Sequence, residues 1–553
     1  MRKRNYTDCL NEINSKELFE GLLGYGFFSE KLPPIFSAVK FYEQSNEVNK
    51  ILNNVSHNNI CDYIRFPVVR NTGGIRMIAI PNPIEYFRLC EFLKLNWDKI
   101  VGIFTAILSS KNIDVIKSKD FSYVAKDANY VSQIHLRKIK DSKSIFEMRS
   151  YEDRFDLSTD EKLMLGKRYY VKADISSCFP SIYTHTIQWA IVGKEKAKKC
   201  RDREEWVNKF DKLCRNINFG ESKGLLIGPV TSNLVSELIL AKIDEELAMK
   251  YSYVRYIDDY HCFVQSYKEG EQFLQDLATI LDKYRLTLNY NKIKILKLPM
   301  EIESDWPLYF KSNPIILNED KISYSQIKYL YHEAIRLMQE NEGDIAILNY
   351  FIKVMSKKKF SFRARRYFVL YSMHLALLYP YLVRILDKFV FKAQGFTKES
   401  IQSFSEELFI RSREIHNIEG ICYAIYFSLI YHHHICSLDN ITSNEIVSVM
   451  KQLNNCILNL LLWLYFKQNH EIEKNVRVYE YAKDILENDM DKNWLFIYEV
   501  LNDTDLRGFK ATVKKNSKEK NKDKKVSPDN YWARMKQLKI SFLSPEFVDQ
   551  IAL

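Results

Sequence analysis

An adjacent pair of acids, Asp258 and Asp259, stands between two β-type runs and constrains the fold more than any other feature of the chain. The runs cover residues 251–257 and 260–264, so the pair sits where a hairpin would turn. Two carboxylates at a tight turn repel each other unless solvent or cations neutralise them. Taken alone, such a pair is usually just a turn, and a functional interpretation needs further residues.

A third acid, Asp174, ends an extended run that begins at Arg168 and is followed by a turn and a helix. An acid at a strand end is a weaker signal still on its own. Three carboxylates on neighbouring strand edges, however, are what two Mg²⁺ ions about 3.5–4 Å apart need for an in-line phosphoryl displacement. The combination predicts a mixed α/β unit whose metal site activates a 3′-hydroxyl and stabilises a pyrophosphate leaving group.

A Gly-Pro turn lies between these acidic segments and opens a long helix. Gly224 and Gly228 let the backbone approach a base or sugar closely, while Pro229 and Thr231 or Ser232 begin the helix. If this segment stood alone, an ordinary loop-to-helix junction would be the favoured interpretation.

In this order, the three segments resemble motifs A, B and C of reverse transcriptases. The matching residues are Asp174 with Phe179 five positions on, Gly224-xxx-Gly228-Pro229-xx-Ser232, and Tyr256-Ile-Asp258-Asp259. The resemblance implies that Asp174 and Asp258 ligate two Mg²⁺ ions, with Mn²⁺ as the alternative. It also implies that Asp259 assists and that the Ile175 carbonyl completes a metal shell.

Further matches extend the resemblance over residues 65–300. Phe179 stands where the family excludes a ribose 2′-hydroxyl, which implies deoxynucleotide use. Arg76, in GGIRMIAIP, resembles the fingers residue that clamps incoming phosphates, and Lys292 lies in a motif D-like segment, near the triphosphate. For both cations the alternative is an ordinary surface position. Gly228 and Pro229 complete the implied nucleotide site.

Motif B departs from the family pattern because it reads Leu226-Ile227-Gly228 where Pro-Gln-Gly is usual. The missing glutamine argues against ordinary template-directed nucleotide selection. The phrase from Phe179 to Ala190 is similar to bacterial antiphage reverse transcriptases of the abortive-infection (Abi) and defence-associated groups, which carry C-terminal helical repeats.

That resemblance implies synthesis of single-stranded DNA from dNTPs. Our first interpretation is weakly templated or untemplated synthesis primed by a protein hydroxyl, which leaves the product covalently attached. The alternative is copying of a bound noncoding RNA. The resemblance also implies a homo-oligomer, a trimer or hexamer. The priming residue is not indicated among 35 tyrosines.

The expected fold is α/β followed by all-α, with fingers and palm in a right-hand arrangement and then a C-terminal α-helical, HEAT-like repeat domain. The predicted boundaries are 1–165 for the N-terminal region and fingers, 166–300 for the palm with an insert at 190–222, and 301–553 for the helical domain. Between about residues 323 and 490, apolar residues recur at helical spacing with almost no strand pattern.

The chain is basic, with 81 Lys and Arg against 70 Asp and Glu, which favours polyanionic partners. Residues 510–525 form a lysine-rich loop for which solvation is favoured over nucleic-acid contact. The candidate contacts there are Lys514, Lys515, Lys518 and Lys520. A cluster of arginines at 363, 365 and 366 is interpreted as a solvated helix start, with phosphate binding as the alternative.

A cytoplasmic location without membrane contact is expected. The ten cysteines form no CxxC pair, and the basic N-terminus has no apolar core typical of a signal peptide. The most apolar stretch, residues 367–383, contains Pro380 and is flanked by arginines, so it predicts a buried helix pair.

Two rival functions use the same palm. One is a catalytically silent RNA-binding scaffold or phage sensor, against which the presence of all three carboxylates counts. The other is a nucleotidyl cyclase on a related palm, against which motif B and Phe179 count. The sequence does not indicate the phage trigger or the fate of the product.

Overall fold

The computed structural model describes residues 10–53, 60–108, 163–199, 205–299, 305–507 and 531–551, together with residue 202 and short pieces between 131 and 146. Its strands are β1 (Ile64–Val69), β2 (Ile75–Ile80), β3 (Val131–Ser132), β4 (Tyr169–Asp174), β5 (Tyr253–Tyr256), β6 (Asp259–Val264), β7 (Lys294–Lys297), β8 (Lys321–Ile322) and β9 (Lys359–Phe360).

A five-stranded sheet with the order β3-β5-β6-β4-β7 lies at the centre of the α/β part. The β6–β4, β4–β7 and β5–β6 pairs are antiparallel, and β3 adds to β5 in parallel. Because β4 and β6 have neighbours on both sides, almost all of their side chains are buried or half-buried. These two strands therefore fix the positions of the residues at their ends.

Strands β1 and β2 form a separate antiparallel hairpin, as the sequence predicts, with Val69 opposite Ile75. Gly73 in its turn has φ +82°, a left-handed conformation that favours glycine. The hairpin presents Arg76 near its tip.

Eleven helices precede or alternate with the strands in the described part of the chain up to residue 283. They are α1 (Ser15–Glu20), α2 (Val39–Glu43), α3 (Ser45–Leu52), α4 (Pro83–Leu95), α5 (Trp97–Leu108), α6 (Cys178–Ser181), α7 (Thr186–Val192), α8 (Lys194–Lys199), α9 (Trp206–Asn216), α10 (Val230–Leu247) and α11 (Tyr267–Lys283). Helix α11 packs on β4 and β6, where Gly270 allows close approach because a Cβ there would lie 3.0 Å from Val171 Cγ2. Two short segments are π-helical, Gly21–Tyr25 and Asp387–Phe391.

The chain beyond the sheet is helical, as its apolar spacing predicts. The helices are α12 (Asp305–Ser312), α13 (Pro314–Asn318), α14 (Tyr324–Glu340), α15 (Ala346–Met355), α16 (Phe362–Leu378), α17 (Val383–Leu386), α18 (Lys392–Gln394), α19 (Lys398–Glu414), α20 (Ile418–Tyr431), α21 (Cys436–Asp439), α22 (Ser443–Leu453), α23 (Cys456–Gln468), α24 (Ile472–Leu486), α25 (Met490–Val500), α26 (Asp503–Arg507), α27 (Tyr531–Gln537) and α28 (Pro545–Gln550). Contacts are densest between α19 and α20, and α23 packs on α20, α24 and α25.

The apolar stretch at 367–383 is interrupted as predicted. Helix α16 ends at Leu378, a 3₁₀ turn covers Pro380–Leu382, and α17 follows. Within the described ranges, no helix combines the length and apolar character that a membrane crossing requires.

The helical part contacts the β1–β2 hairpin through hydrogen bonds. The Val69 N–H donates to Glu419 Oε2 at 2.6 Å, and Arg384 donates to the Val69 carbonyl while its Nε lies 2.6 Å from Glu419 Oε1. At the hairpin turn, Asn71 Nδ2 donates to Asp344 Oδ1 at 2.8 Å. The hairpin is therefore held from its strand end to its turn by residues more than 270 positions away in the chain.

Glu419 makes the stability contributed by these contacts depend on pH. Its side chain is fully buried, and burial raises its pKa from 4.5 to about 7, against the opposing effect of Arg384. The folded state thus keeps the proton to higher pH than the unfolded state. The stability associated with Glu419 is complete below about pH 4.5 and is lost as the pH rises through 7.

We expect Glu419→Gln, which cannot ionise, to gain stability relative to the wild type as the pH rises from 4.5 to 8. The difference in unfolding free energy should change by roughly 2–3 kcal/mol over that range. Denaturant unfolding at a series of pH values measures it. Glu407→Gln, at an exposed residue paired with Arg411, is the control and should show a small, nearly constant difference. A constant difference for Glu419→Gln as well would contradict the assignment.

Candidate active site

The structure brings the three predicted acids together at one end of the interior strands. β4 ends at Asp174, β6 begins at Asp259, and these two residues are direct partners in the antiparallel register. Asp258 lies in the adjoining turn, where its carbonyl accepts a hydrogen bond from the Ile175 N–H at 3.1 Å. The turn itself differs slightly from the expectation: Tyr256 pairs with Asp259, so the turn residues are Ile257 and Asp258.

Ile257 adopts an unfavourable backbone conformation at this turn. Its φ is +57°, in the left-handed region that a β-branched residue rarely enters. Such conformations cost on the order of 1–3 kcal/mol and persist where surrounding contacts hold them. One such contact is visible, since Arg255 Nη1 donates to the Ile257 carbonyl at 2.7 Å.

Arg255 belongs to a buried charge cluster that sequence reasoning missed. Its side chain is fully buried and lies 2.9 Å from a Glu237 oxygen and 2.7 Å from an Asp244 oxygen, both on α10. Tyr253 also donates to Asp244, at 2.8 Å. Because α10 is the helix opened by the Gly-Pro turn, this cluster joins that helix to the turn carrying Asp258. An arginine inside an otherwise apolar β-run was the available signal.

The electrostatics of Asp258 reflect its acidic neighbours. The pKa of its carboxyl is raised to about 7, chiefly by burial and then by Asp259 and Asp174, while Lys292 opposes the shift. A site that makes its own carboxylates expensive to ionise is one that a hard cation would stabilise, because oxygen donors are the ligands Mg²⁺ prefers. The donor chemistry of the three acids therefore fits a divalent metal.

Lys292 pairs with one of these acids, and Asn289 donates a hydrogen bond to it. Lys292 Nζ lies 2.7 Å from Asp174 Oδ2, and Asn289 Nδ2 lies 3.4 Å from the same oxygen. The Asn289 N–H also donates to the Asp174 carbonyl at 2.7 Å. Among the residues that the structure describes, no three His, Cys, Asp or Glu side chains are arranged to hold a metal ion. The predicted nucleotide-site lysine instead pairs with a predicted metal ligand.

Phe179 and the glycine loop are joined through the backbone. The Leu225 N–H donates to the Phe179 carbonyl at 2.8 Å, and the Gly224 N–H donates to the Ile182 carbonyl at 2.8 Å. Phe179 itself is half-buried on α6, just beyond Asp174. The backbone that carries the predicted sugar-selecting ring is therefore joined to the glycine loop.

Gly228 allows this loop to pack against the hairpin. It has φ +141°, and a Cβ there would lie 2.7 Å from the Ala79 carbonyl oxygen. The adjacent Ile227 carbonyl accepts from the Ala79 N–H at 2.8 Å. Helix α10 then begins directly after Pro229, close to the predicted start; Pro229 itself is the N-cap, and Thr231 and Ser232 lie within the first turn. The loop, the hairpin and the acidic strand ends thus surround one cleft.

Basic residues line the hairpin side of the cleft. Burial and then Arg70 lower the pKa of Arg76, while Asp258 raises it, so Arg76 is within electrostatic reach of the acids. The pKa of Lys31 is lowered to about 8 by burial, then by Arg76, Arg384 and Arg70. Lys31 has no motif around it, and sequence reasoning missed it. The remaining predicted contacts, Lys514, Lys515, Lys518 and Lys520, lie outside the described residues.

Part of this cleft lies within a stretch of the chain that matches a known protein family. Residues 121–333 match the family described as Reverse transcriptase (RNA-dependent DNA polymerase), a span that contains the three acids and the glycine loop. The chain therefore carries a reverse transcriptase domain and is an enzyme, a DNA nucleotidyltransferase. No curated protein matches the sequence.

Solved structures give looser similarities. Apo telomerase from Candida tropicalis aligns at 12% identity and a TM-score of 0.29, over 78% of this chain and 76% of that one. Telomerase from Candida albicans with a fragment of telomeric RNA aligns at 12% identity and a TM-score of 0.28, over 80% and 69%. Similarity this low carries no argument about the present chain.

We expect Gly228→Ala to destabilise the protein, because an L-residue is strained at φ +141° and its Cβ meets the Ala79 carbonyl. The expected loss is about 1–3 kcal/mol in the unfolding free energy. Gly102→Ala is the matched control: Gly102 lies on α5 with no atom within 4 Å of the added Cβ, and the change should stabilise by up to about 1 kcal/mol. Equal effects of the two substitutions would contradict the packing described for the loop.

Proposed function

We propose that the chain is a metal-dependent DNA polymerase whose catalytic residues are Asp174, Asp258 and Asp259. The observation that carries this proposal is the pairing of Asp174 with Asp259 across β4 and β6, with Asp258 in the adjoining turn. Two Mg²⁺ ions bound there, or Mn²⁺ ions, would activate a 3′-hydroxyl and neutralise the leaving pyrophosphate. Asp174 and Asp258 hold the metals, Asp259 assists, and the Ile175 carbonyl adds an oxygen ligand.

In this proposal Lys292 has two positions. Without metals its ammonium compensates the Asp174 carboxylate, as the 2.7 Å contact indicates. With metals held by Asp174 and Asp258, the Lys292 ammonium would be free to contact the incoming triphosphate. Arg76 and Lys31 bind phosphate oxygens from the hairpin side, and their excess positive charge favours that role.

The sugar and base of the nucleotide lie against the glycine loop. Phe179 excludes a 2′-hydroxyl, and the backbone at Gly228 and Pro229 forms the floor of the pocket. The hydrogen bond from Leu225 to the Phe179 carbonyl supports this assignment, because it holds the ring in a defined place relative to the loop.

We further propose that the enzyme acts in the bacterial cytoplasm in antiphage defence, as an Abi-type reverse transcriptase. It would make single-stranded DNA by protein-primed, weakly templated synthesis. The support is the resemblance of the segment from Phe179 to Ala190 and the absent motif B glutamine. Copying of a noncoding RNA is the second candidate, and a silent RNA-binding scaffold the third.

The proposed domains are fingers at 1–165, palm at 166–300 with an insert at 190–222, and HEAT-like helical repeats at 301–553. Successive packing of α19, α20 and α23–α25 supports a repeat-like arrangement. A trimer or hexamer is the proposed assembly.

Asp258→Asn should abolish nucleotide incorporation, because it removes a metal ligand while keeping the shape of the side chain. The same result is expected for Asp174→Asn. The assay supplies Mg²⁺ and labelled dNTPs without primer or template. Asp282→Asn, at an exposed acid of the palm, is the control and should retain wild-type incorporation. Nucleotide incorporation by both site variants would contradict the assignment of Asp174 and Asp258 as catalytic residues.

The same assay separates the priming alternatives. Label that remains with the wild-type protein until protease treatment supports protein priming. Synthesis that is lost after ribonuclease pretreatment supports an RNA template instead.

Phe179→Ala should admit ribonucleotides by opening space next to the sugar, whereas the wild type rejects them. The measurement is the ratio of kcat/KM for dNTP and rNTP incorporation. Loss of a steric gate should lower that ratio by at least about tenfold, equivalent to 1.4 kcal/mol. Phe219→Ala, at an exposed phenylalanine that ends the segment before the glycine loop, provides the control. An unchanged ratio in the Phe179 variant would remove its proposed role.

A further inference from the structure

A groove on the helical part combines aromatic rings and positive charge. It has a volume of about 510 Å³ and lies between the start of α14 and the first three turns of α16. Its lining residues are Tyr324, Arg363, Arg366, Tyr367, Leu370 and Tyr371. Every charged residue of this lining is an arginine, so the groove is complementary to an anionic ligand.

The rings form an ordered row along α16. Tyr367 and Tyr371 are stacked, with centroids 5.2 Å apart and planes 13° from parallel, and His374 follows one turn later at 5.9 Å from Tyr371. Tyr324 meets Tyr367 edge-on across the groove, at 5.5 Å. Lys328 adds a cation 5.7 Å from the Tyr324 ring. These spacings follow from the helical repeat, which places residues three and four positions apart on one face.

The side chains of Arg363 and Arg366 are accessible to an external partner. Both are exposed, and neither is ion-paired with a carboxylate among the residues that the structure describes. By contrast, two other arginines on the helical surface are ion-paired: Arg336 with Glu333 and Glu340, and Arg477 with Glu480. The groove arginines therefore carry uncompensated charge beside exposed apolar surface, since Tyr324 and Leu370 are each more than 40% exposed.

We propose that this groove binds single-stranded DNA, with bases stacking on its tyrosines and phosphates contacting Arg363 and Arg366. Rows of aromatic rings next to cations are the means by which proteins bind single strands without regard to sequence. The choice of DNA rests on the proposed function, in which single-stranded DNA is the enzyme's product.

The position of the groove fits a strand leaving the polymerase cleft. Helix α14 starts at the groove and ends next to the loop that contacts the hairpin, where the Ile345 N–H donates to the Asn71 carbonyl at 3.2 Å. At 1.5 Å per residue, its 17 residues span about 25 Å. The groove thus lies about one helix length from the fingers hairpin.

Fluorescence anisotropy with labelled oligodeoxythymidylate of about 12 nucleotides tests the proposal, since single-strand binders cover roughly 4–16 nucleotides. The full chain is used, so the segment at 510–525 is present in every sample. Arg363→Gln/Arg366→Gln should weaken binding and reduce the slope of log K against log salt by about 1.4 for two phosphate contacts. Tyr324→Ala should weaken binding roughly 5- to 100-fold with little change in slope.

The matched control is Arg336→Gln/Arg477→Gln, which removes the same charge from ion-paired positions outside the groove and should bind like the wild type. If both groove variants bind like this control, the proposal is overturned. Tighter binding of oligouridylate than of the DNA, or altered oligomer mass with unchanged DNA binding, would overturn it too, in favour of an RNA or a second copy of the chain.

Binding and synthesis are measured separately, so the two proposals fail separately. Asp258→Asn protein should bind the oligonucleotide through the groove although it incorporates no nucleotide. If the wild-type protein binds DNA through the groove but makes no DNA, the groove proposal is supported and the polymerase proposal is refuted. DNA synthesis by a protein whose oligonucleotide binding does not depend on the groove would support the polymerase and refute the groove proposal.

Discussion

The buried ion cluster of Arg255, Glu237 and Asp244 is the interaction on which the geometry of the cleft depends. It places one cation between two anions in a region without solvent, where an unpaired charge would cost several kcal/mol. The cation comes from β5 and the anions from α10, so the strand and the helix cannot shift independently. Since Arg255 also binds the Ile257 carbonyl, the same cluster holds the strained turn that presents Asp258.

A second set of polar contacts connects the cleft to the helical half. The hairpin with Arg76 is a two-stranded ribbon, and such ribbons are marginally stable in isolation. Glu419, Arg384 and Asp344 supply what the ribbon lacks, by binding its strand end and its turn. Buried apolar residues from all parts of the described chain also form one continuous cluster. The helical half thereby determines where the hairpin that carries Arg76 stands.

The acidic site itself is balanced between opposing charges. Burial and two neighbouring carboxylates, Asp259 and Asp174, raise the pKa of Asp258, and the cations Lys292 and Arg76 interact favourably with its carboxylate. Acids and cations of this chain therefore lie within electrostatic reach of one another at the ends of β4 and β6. In the proposed groove on α14 and α16, aromatic rings stack on the bases of the single-stranded DNA and arginines contact its phosphates.

The sequence by itself determined the local features. The acid at the end of β4, the hairpin at Thr72–Gly74, the helix after Pro229 and the interruption at Pro380 all follow from short-range chemistry, because turns, caps and strand ends depend on neighbouring residues. Motif order then identified the three acids, and the family match confirms the reverse transcriptase domain around them.

Tertiary structure decided which distant residues meet. No pattern links Glu419 to Val69, Arg255 to Asp244, or Tyr324 to Tyr367, because burial of charge and packing of rings depend on three-dimensional neighbours and leave no local period. For the same reason the sequence did not reveal that Lys292 contacts Asp174. Sequence spacing shows which chemistry a chain carries; the fold decides which charges must compensate one another.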